Sequence, residues 1–440
     1  MTRPARKMKP SGIPWIGDVP TDWEICKLKF VVNAFTGNSI KDEEKDFYSS
    51  FPLESSHPYI TTKDIDKITG RINYESGLRT LKRDTLFKLA PKYSTLLCVE
   101  GGSAGEKIAF TEQDVSFVNK LCCFYTSSIN KKYLFYFLSS SAFKECFKSF
   151  ISGLIGGVPV SVFKNFNISI PPTETQKKIA EFLDEKCAEI DALIAIEEKM
   201  IAELKSYKQS VITEAVTRGV PAAENAARPL KDSGIPWLGS VPAHWEVKQI
   251  SRISSVVRGA SPRPAGDPQY FHGDFIPWIT VAEVTKDDGK FIFETETFLT
   301  EAGMRNSRIV NSETLLLSNS GATLGVPKIT KIRGCINDGS VAFLNLTESK
   351  EFLFYVLKSR TQELRLQMQG SGQPNLNTQI VKSMYVPVPT REEQNEIVNY
   401  LDKKCLEIDS AISFKKEKIT TLQNYKKSII FEYTIGKKGI

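Results

Sequence analysis

The chain has 440 residues, of which 41% are apolar and 25% charged, so it has room for two or three globular domains. This composition excludes a disordered chain, and the lack of any run of about 18 apolar residues argues against a helix that spans a membrane. The formal net charge of +7 is mild and gives only weak support for a polyanionic partner.

The N-terminal leader, residues 1–24, contains a segment that returns later in the chain. Residues 11–24 match residues 233–246 at ten of fourteen positions, with an offset of 222. The density of proline and glycine in both copies predicts irregular structure. Each copy carries two tryptophans, and we expect all four to pin their segments to an apolar surface or to dock a partner: Trp15, Trp23, Trp237 and Trp245.

Each leader is followed by a domain of about 145 residues, and the two domains are 25–171 and 247–389. A linker and the second leader, together residues 220–246, precede the second domain. Short β-branched and aromatic runs, separated by Gly, Asn and Pro, predict strands and turns in both domains. One amphipathic helix is predicted in each, over residues 131–151 and 349–368. The expected fold is α+β, with a twisted sheet in each of two similar domains.

Two long helices complete the repeat, at residues 172–219 and 390–436. Residues 174–212 are identical to the sequence 218 positions later at 17 of 39 positions, and neither copy is interrupted by Pro or Gly. Apolar residues spaced by three and four, with Tyr207 among them in the first copy, form one narrow stripe on each helix. We therefore predict an antiparallel coiled-coil spacer that separates the two domains, with an internal pseudo-twofold repeat.

The apolar stripe has one charged position near its middle in each copy. Glu197 falls there in the first helix, and Lys415 falls at the equivalent place in the second. In an antiparallel pair these side chains would face each other and fix the register of the helices. The alternative is that both side chains bend outward into water.

The chain contains little that predicts catalysis. Its three histidines are not spaced for a metal, and its eight cysteines contain no CxxC pair, which suits reduced thiols in the cytoplasm. The glycines near residue 101 lack the spacing of a phosphate-binding loop. We therefore predict no catalytic residue, no metal and no cofactor in this chain.

Two similar but diverged domains on a fixed spacer suit a ligand with two different half-sites, and duplex DNA is the obvious candidate. Polar side chains in glycine-containing loops could reach bases or phosphates, although a solvated turn is the alternative for each. The candidate DNA-binding residues are Thr36, Asn38, Ser39, Lys41, Lys63, Arg258, Ser261, Arg263, Ser320, Ser371, Gln373, Asn375 and Asn377.

This layout closely resembles the specificity subunit of type I restriction–modification systems. The resemblance covers nearly the whole chain and depends on the leaders at 13–23 and 235–245, the loop at 370–377 and the starts of the long helices at 171–179 and 388–397. The first domain departs from the pattern at 152–159, where glycine and proline remain but the Asn pair of the later loop is missing.

The resemblance implies a non-catalytic, cytoplasmic subunit whose two target-recognition domains each read half of a split DNA sequence. It also implies that the helices and leaders dock two methyltransferase subunits. S-adenosylmethionine, ATP and Mg would belong to those subunits and to the restriction subunits of the full complex. Three alternatives remain open: a subunit of a related type IIB system, a self-contained methyltransferase or nuclease, and a scaffold that presents two protein-binding domains.

Overall fold

The computed structural model describes residues 7–151, 156–221, 229–368 and 376–440. The chain forms two compact units. Unit 1 comprises Met1–Lys199 and Lys415–Ile440, and unit 2 comprises Met200–Phe414. Each long helix therefore contributes one part of its length to unit 1 and the other part to unit 2.

The helices are mostly short, apart from the two long ones. They are α1 (Lys45–Ser49), α2 (Lys131–Ser139), α3 (Ser141–Ser149), α4 (Val160–Phe163), α5 (Thr173–Arg218), α6 (Val281–Thr285), α7 (Glu301–Arg305), α8 (Lys350–Met368), α9 (Thr378–Ser383) and α10 (Arg391–Thr434). No helix among the described residues is long and apolar enough to cross a membrane.

The strands of unit 1 are β1 (Met8–Pro10), β2 (Asp18–Pro20), β3 (Glu24–Lys27), β4 (Asn33–Thr36), β5 (Ser56–Ile60), β6 (Arg79–Leu81), β7 (Leu89–Ala90), β8 (Thr95–Cys98), β9 (Ile108–Phe110), β10 (Val115–Phe117), β11 (Leu121–Tyr125) and β12 (Asn167–Ile170). They form sheets in the orders β4-β11-β8-β9 and β6-β5-β10-β7, with the two-stranded ladders β1-β2 and β12-β3. The pair β5 and β10 is parallel, and the other ladders are antiparallel.

The strands of unit 2 are β13 (Leu230–Asp232), β14 (Ser240–Pro242), β15 (Glu246–Gln249), β16 (Ser255–Arg258), β17 (Phe271–Ile279), β18 (Phe291–Ile292), β19 (Phe298–Leu299), β20 (Arg308–Val310), β21 (Thr314–Ser318), β22 (Pro327–Thr330), β23 (Gly334–Ile336), β24 (Ser340–Leu344) and β25 (Tyr385–Val388). The sheets are β16-β24-β21-β22-β18 and β19-β17-β23-β20, with the ladders β13-β14 and β15-β25. Each ladder of unit 1 thus has a counterpart in unit 2, and β18 is an addition. The predicted α+β class and the internal repeat are confirmed.

The long helices lie antiparallel in unit 1. Phe182 packs on Tyr433 with ring centroids 4.5 Å apart, and farther along Asp191 pairs with Lys426 at 2.7 Å. The residue number therefore rises along α5 as it falls along α10. Helix α5 ends where Gly219 adopts a φ of 87°, a conformation that favours glycine after the last helical turn.

Each unit has a main apolar core to which its leader, its α+β domain and its part of the long helices all contribute. In unit 1 this core includes Trp23, Leu183 and Ile429, and in unit 2 it includes Trp245, Val211 and Leu401. The leader tryptophans Trp23 and Trp245 are completely enclosed, at 0% and 1% exposure. These rings fix the leader on the helix pair of their own unit because their apolar surface is removed from water.

Three sequence predictions need correction. The predicted helix over 131–151 is two helices, because the backbone of Ser140 is extended and its hydroxyl caps the second by accepting from the Phe143 N–H. The leaders are not wholly irregular, since each forms a short hairpin, β1-β2 and β13-β14. Tyr207 is 55% exposed and does not lie in the apolar stripe, where Lys208 takes its place.

Candidate nucleic-acid interface

The loop that follows β4 is held in place by contacts that require glycine. A Cβ atom on Gly37 would lie 1.9 Å from the carbonyl oxygen of Phe117, so no other residue fits without moving the backbone. The next residue, Asn38, receives a 3.0 Å bond from the Lys88 N–H on its side-chain oxygen, and its carbonyl accepts from the Tyr59 hydroxyl at 2.6 Å. The base of the loop is therefore rigid.

The predicted DNA-binding residues of this loop differ in availability. Ser39 and Lys41 are exposed, whereas Thr36 and Asn38 are half-buried. The carbonyl of Thr36 accepts from the Lys88 ammonium at 2.9 Å. Ser39 and Lys41 are thus the side chains of this loop that are presented to solvent.

The equivalent loop of unit 2 follows β16 and also has a glycine packed against a backbone carbonyl. A Cβ atom on Gly259 would lie 2.0 Å from the carbonyl oxygen of Asn337. The predicted residues around it converge on Asp338: the Ser261 hydroxyl donates to its carboxylate at 2.6 Å, and the Arg258 Nε donates to its carbonyl at 2.9 Å. Arg263, with 71% of its side chain exposed, lies 3.6 Å from the same carboxylate.

Lys63 belongs to a shallow concavity in unit 1 that is lined by four cationic side chains, Lys63, Lys67, Arg71 and Lys107. Two carboxylates also line it, but both are bound by neighbouring threonines. Asp64 accepts from the hydroxyl of Thr61 at 2.6 Å, and hydrogen bonds from Thr69 lower the pKa of Asp66. Four cations against two carboxylates leave the concavity with an excess of positive charge that suits a phosphate.

Unit 2 contains a buried polar cluster that the sequence analysis missed in part. Asn319 is fully buried, and its side-chain oxygen and nitrogen have no hydrogen-bond partner among the described residues. Within the same part of the chain, the Asn337 side-chain oxygen and the Ser340 hydroxyl are also buried without a partner. The predicted residue Ser320 is next to this cluster, but Asn319, Asn337 and Ser340 are not among the residues predicted from the sequence.

The later loop is described only at its end. Ser371, Gln373 and Asn375 lie outside the described residues. Asn377 is exposed, and its side-chain oxygen accepts from the Ile380 N–H at 2.9 Å as the cap of α9. The side-chain oxygen of Asn377 thus caps a helix, and its side-chain N–H groups are left for other contacts.

The leader tryptophans fall into two groups. Trp23 and Trp245 are enclosed in their own units, and this burial leaves no surface on either ring for docking a partner. Trp15 and Trp237 are half-buried, and the Arg360 guanidinium lies 4.6 Å from the centre of the Trp237 ring. The prediction of partner docking is therefore retained only for Trp15 and Trp237.

A charged side chain does lie at the middle of the helix stripe. Glu197 is only 5% exposed, and its carboxylate accepts a bond of 3.0 Å from Lys415 and one of 2.5 Å from Lys418. These two ammonium groups hold the pKa of Glu197 below its usual value. Outward bending of both side chains, the alternative from the sequence, does not occur.

The contacts at the start of each long helix recur in the other unit. Gln176 accepts from the Asn130 N–H at 2.7 Å, and Gln394 accepts from the Ser349 N–H at 2.8 Å. Each amide also donates to a proline carbonyl five residues earlier. Repeated scaffold contacts thus accompany loops whose exposed side chains differ.

The comparisons with known proteins agree with this arrangement. A family model described as the type I restriction modification DNA specificity domain matches residues 20–206 and 242–434. The chain belongs to this family. Subunits of this specificity family are non-catalytic, and within the described part of this one no group of His, Cys, Asp and Glu could hold a metal.

Two relatives and one solved structure illustrate the similarity of this specificity subunit. The type I restriction enzyme EcoKI specificity subunit of Escherichia coli K12 is 22% identical over 94% of this chain and 89% of its own. The MjaIX specificity subunit of Methanocaldococcus jannaschii is 30% identical over 42% of this chain and 43% of its own. A chain solved in work on complex assembly and conformational transition of the type I R-M system has a TM-score of 0.72, with 15% identity over 94% of this chain and 98% of its own, which establishes a shared fold.

Proposed function

We propose that this specificity subunit reads a split DNA target, with residues 25–171 recognising one half-site and residues 247–389 the other. The observation that supports this most strongly is the pair of glycine-anchored loops after β4 and β16. The same close approach of Gly37 and Gly259 to a carbonyl oxygen supports both loops. The second residue after each glycine is serine in both, but the first, third and fourth residues differ, with Asn, Ile and Lys in unit 1 and Ala, Pro and Arg in unit 2. A constant scaffold with variable exposed side chains is what two different half-sites require.

The charge of unit 1 favours contact with the DNA backbone. Lys63 and its three cationic neighbours supply phosphate contacts, which position the domain but carry no sequence information. The exposed polar side chains of the loops supply base contacts. Among the predicted residues, Ser39 and Lys41 carry this role in unit 1 and Arg263 and Asn377 in unit 2, because these side chains are exposed.

Two methyltransferase subunits dock on the long helices and leaders. Large exposed apolar side chains occur at equivalent positions of the two helices: Ile196 and Phe414 are 54% and 69% exposed, and Tyr207 and Tyr425 are 55% and 54% exposed. Each pair is related by the 218-residue offset of the repeat. Two copies of one partner need two equal surfaces, and the repetition of large exposed apolar side chains at equivalent positions supports such a pair of surfaces.

In this account S-adenosylmethionine is bound by the methyltransferase subunits, and ATP with Mg by restriction subunits, in the cytoplasm. The test is to express the chain with its methyltransferase subunits and sequence the methylated adenines of the host DNA. The expected result is one motif with two specific halves and a gap of fixed length between them. A contiguous motif, or methylation that does not depend on this chain, would refute the proposal.

A further inference from the structure

The long helices carry three layers of ion pairs whose pattern follows the sequence repeat. In unit 1, Asp191 pairs with Lys426 at 2.7 Å, and Glu197 pairs with Lys415 at 3.0 Å. In unit 2, Lys208 pairs with Asp409 at 2.6 Å. Asp409 is the equivalent of Asp191 under the 218-residue offset, and Lys426 is the equivalent of Lys208.

The two outer layers are therefore the same interaction made twice. If the first half of the chain, residues 1–221, paired with a second copy of itself, Asp191 of each copy would meet Lys208 of the other. If the second half, residues 222–440, paired with itself, Asp409 would meet Lys426 in the same way. The outer layers are satisfied in every combination and do not distinguish the correct partner from a like half.

The apolar residues in the first part of each long helix also do not distinguish the correct partner from a like half. Five buried positions of α5 carry the same residue as their equivalents in α10. They are Ile179 and Ile397, Leu183 and Leu401, Cys187 and Cys405, Ile190 and Ile408, and Ile194 and Ile412. Side chains of identical shape would pack as well between like halves as between unlike ones.

The central layer, by contrast, is different in the two helices. Glu197 is equivalent to Lys415, and Lys418, the second donor to Glu197, is equivalent to Met200. Two first halves would bring two Glu197 carboxylates together at a site where the side chain is 6% exposed. Two second halves would bring together Lys415 and Lys418 from both copies, and like charges held close together away from water repel strongly.

We infer that the Glu197–Lys415–Lys418 cluster makes the helix pair selective for unlike halves, so that copies of this chain do not associate through like helices. The pairing that this cluster disfavours is that of one half of the chain with a second copy of the same half. The specificity comes from repulsion in the wrong pairing, as well as from attraction in the right one. This property is independent of the DNA that the two domains read.

The test starts from the folded full-length chain with a protease site inserted in the linker at 222–228. After cleavage, two preparations that carry different mass tags on both halves are mixed in mild urea. Exchange is continued until second halves from both preparations are paired equally often with first halves from either preparation. The paired species are then counted by native mass spectrometry. Even distribution of these tags shows in the same spectrum that the halves have exchanged.

The wild-type halves are expected to form only unlike pairs. Glu197→Gln removes the repulsion, so pairs of two first halves should increase by at least about tenfold. The matched control is Glu198→Gln, which makes the same charge change on the adjacent exposed residue and should leave the distribution unchanged. Like pairs at equal levels in the wild type and in Glu197→Gln would overturn the inference.

A charge-reversed variant gives a sharper result. When cleaved wild-type chains and cleaved Glu197→Lys chains are exchanged in the same way, a mixed pair that contains one wild-type first half and one variant first half should form. Pairs of two wild-type halves and pairs of two variant halves should stay rare, because each would bring two like charges together. A purely structural role for Glu197 predicts no such preference, and equal amounts of the three species, or no mixed pair, would refute the selectivity.

Discussion

Gln176 and Gln394 make the same two hydrogen bonds at equivalent positions of the two long helices. Each side-chain oxygen accepts from the backbone N–H at the start of a domain helix, and each side-chain nitrogen donates to the carbonyl of the preceding Pro171 or Pro389. Both glutamines are buried, at 3% and 1% exposure. The amide joins the recognition domain to the long helix in each unit.

Replacing either glutamine with leucine should leave a buried N–H and a buried carbonyl without a partner. Such losses cost about 1–3 kcal/mol each in the free energy of unfolding. Urea denaturation of Gln394→Leu should show this loss, whereas Asn395→Leu, at the exposed neighbouring position, should change stability little. Equal stability of the two variants would show that the buried bonds contribute nothing.

The glycines at the base of the loops after β4 and β16 give a second prediction. Gly37→Ala places a Cβ atom within about 2 Å of a carbonyl oxygen, so the loop must shift, at a cost of about 1–3 kcal/mol or more. Recognition of the half-site read by unit 1 should weaken, while the other half-site is still required. Gly102→Ala is the control, because nothing lies within 4 Å of its added methyl group. DNA-binding assays with each half-site altered in turn would measure the effect, and a uniform loss over both half-sites would contradict it.

The ion pairs of Glu197 should make the stability of the folded chain depend on pH. Bonds from Lys418 and Lys415 lower its pKa below the usual 4.5, so the carboxylate contributes stability above that pH. The contribution is lost as the pH falls through the lower pKa of the folded protein. The difference in unfolding free energy between the wild type and Glu197→Gln should therefore be constant from about pH 7 to about pH 5 and shrink below about 4.5. Parallel stability curves down to about pH 3 would show that the carboxylate does not titrate with folding.

Lys63 tests the assignment of the basic concavity to DNA phosphates. Lys63→Ala should weaken binding to all DNA sequences alike and reduce the slope of log affinity against log salt by about one. The control is Lys416→Ala, which removes an exposed cation from α10. A change in sequence preference, with an unchanged salt slope, would mean that Lys63 reads a base instead.

The long helices and their central charged pair could be predicted from the sequence because the signal is local and periodic. Seventeen identities in 39 positions fix the equivalence of the two copies, and the helical period then places Glu197 in the stripe. The period drifts over a helix of 46 residues, and for this reason the same spacing wrongly predicts that Tyr207 lies in the stripe.

The loops were harder to predict because their contacts are made across the fold. Nothing near Gly37 in the sequence indicates that it lies against Phe117, and nothing near Ser261 indicates its bond to Asp338. The break at Ser140 was hidden by continuous amphipathic spacing on both sides of it. Which loop side chains contact DNA remains a prediction.

Exchange of one recognition domain tests most directly whether each domain reads one half-site. Residues 25–171 are replaced with the corresponding domain of a family member with a different target, and the methylated adenines are sequenced in cells that contain the methyltransferase subunits. We predict that one half of the motif changes, while the other half and the length of the gap stay the same. A motif in which both halves change together would contradict independent reading by the two domains.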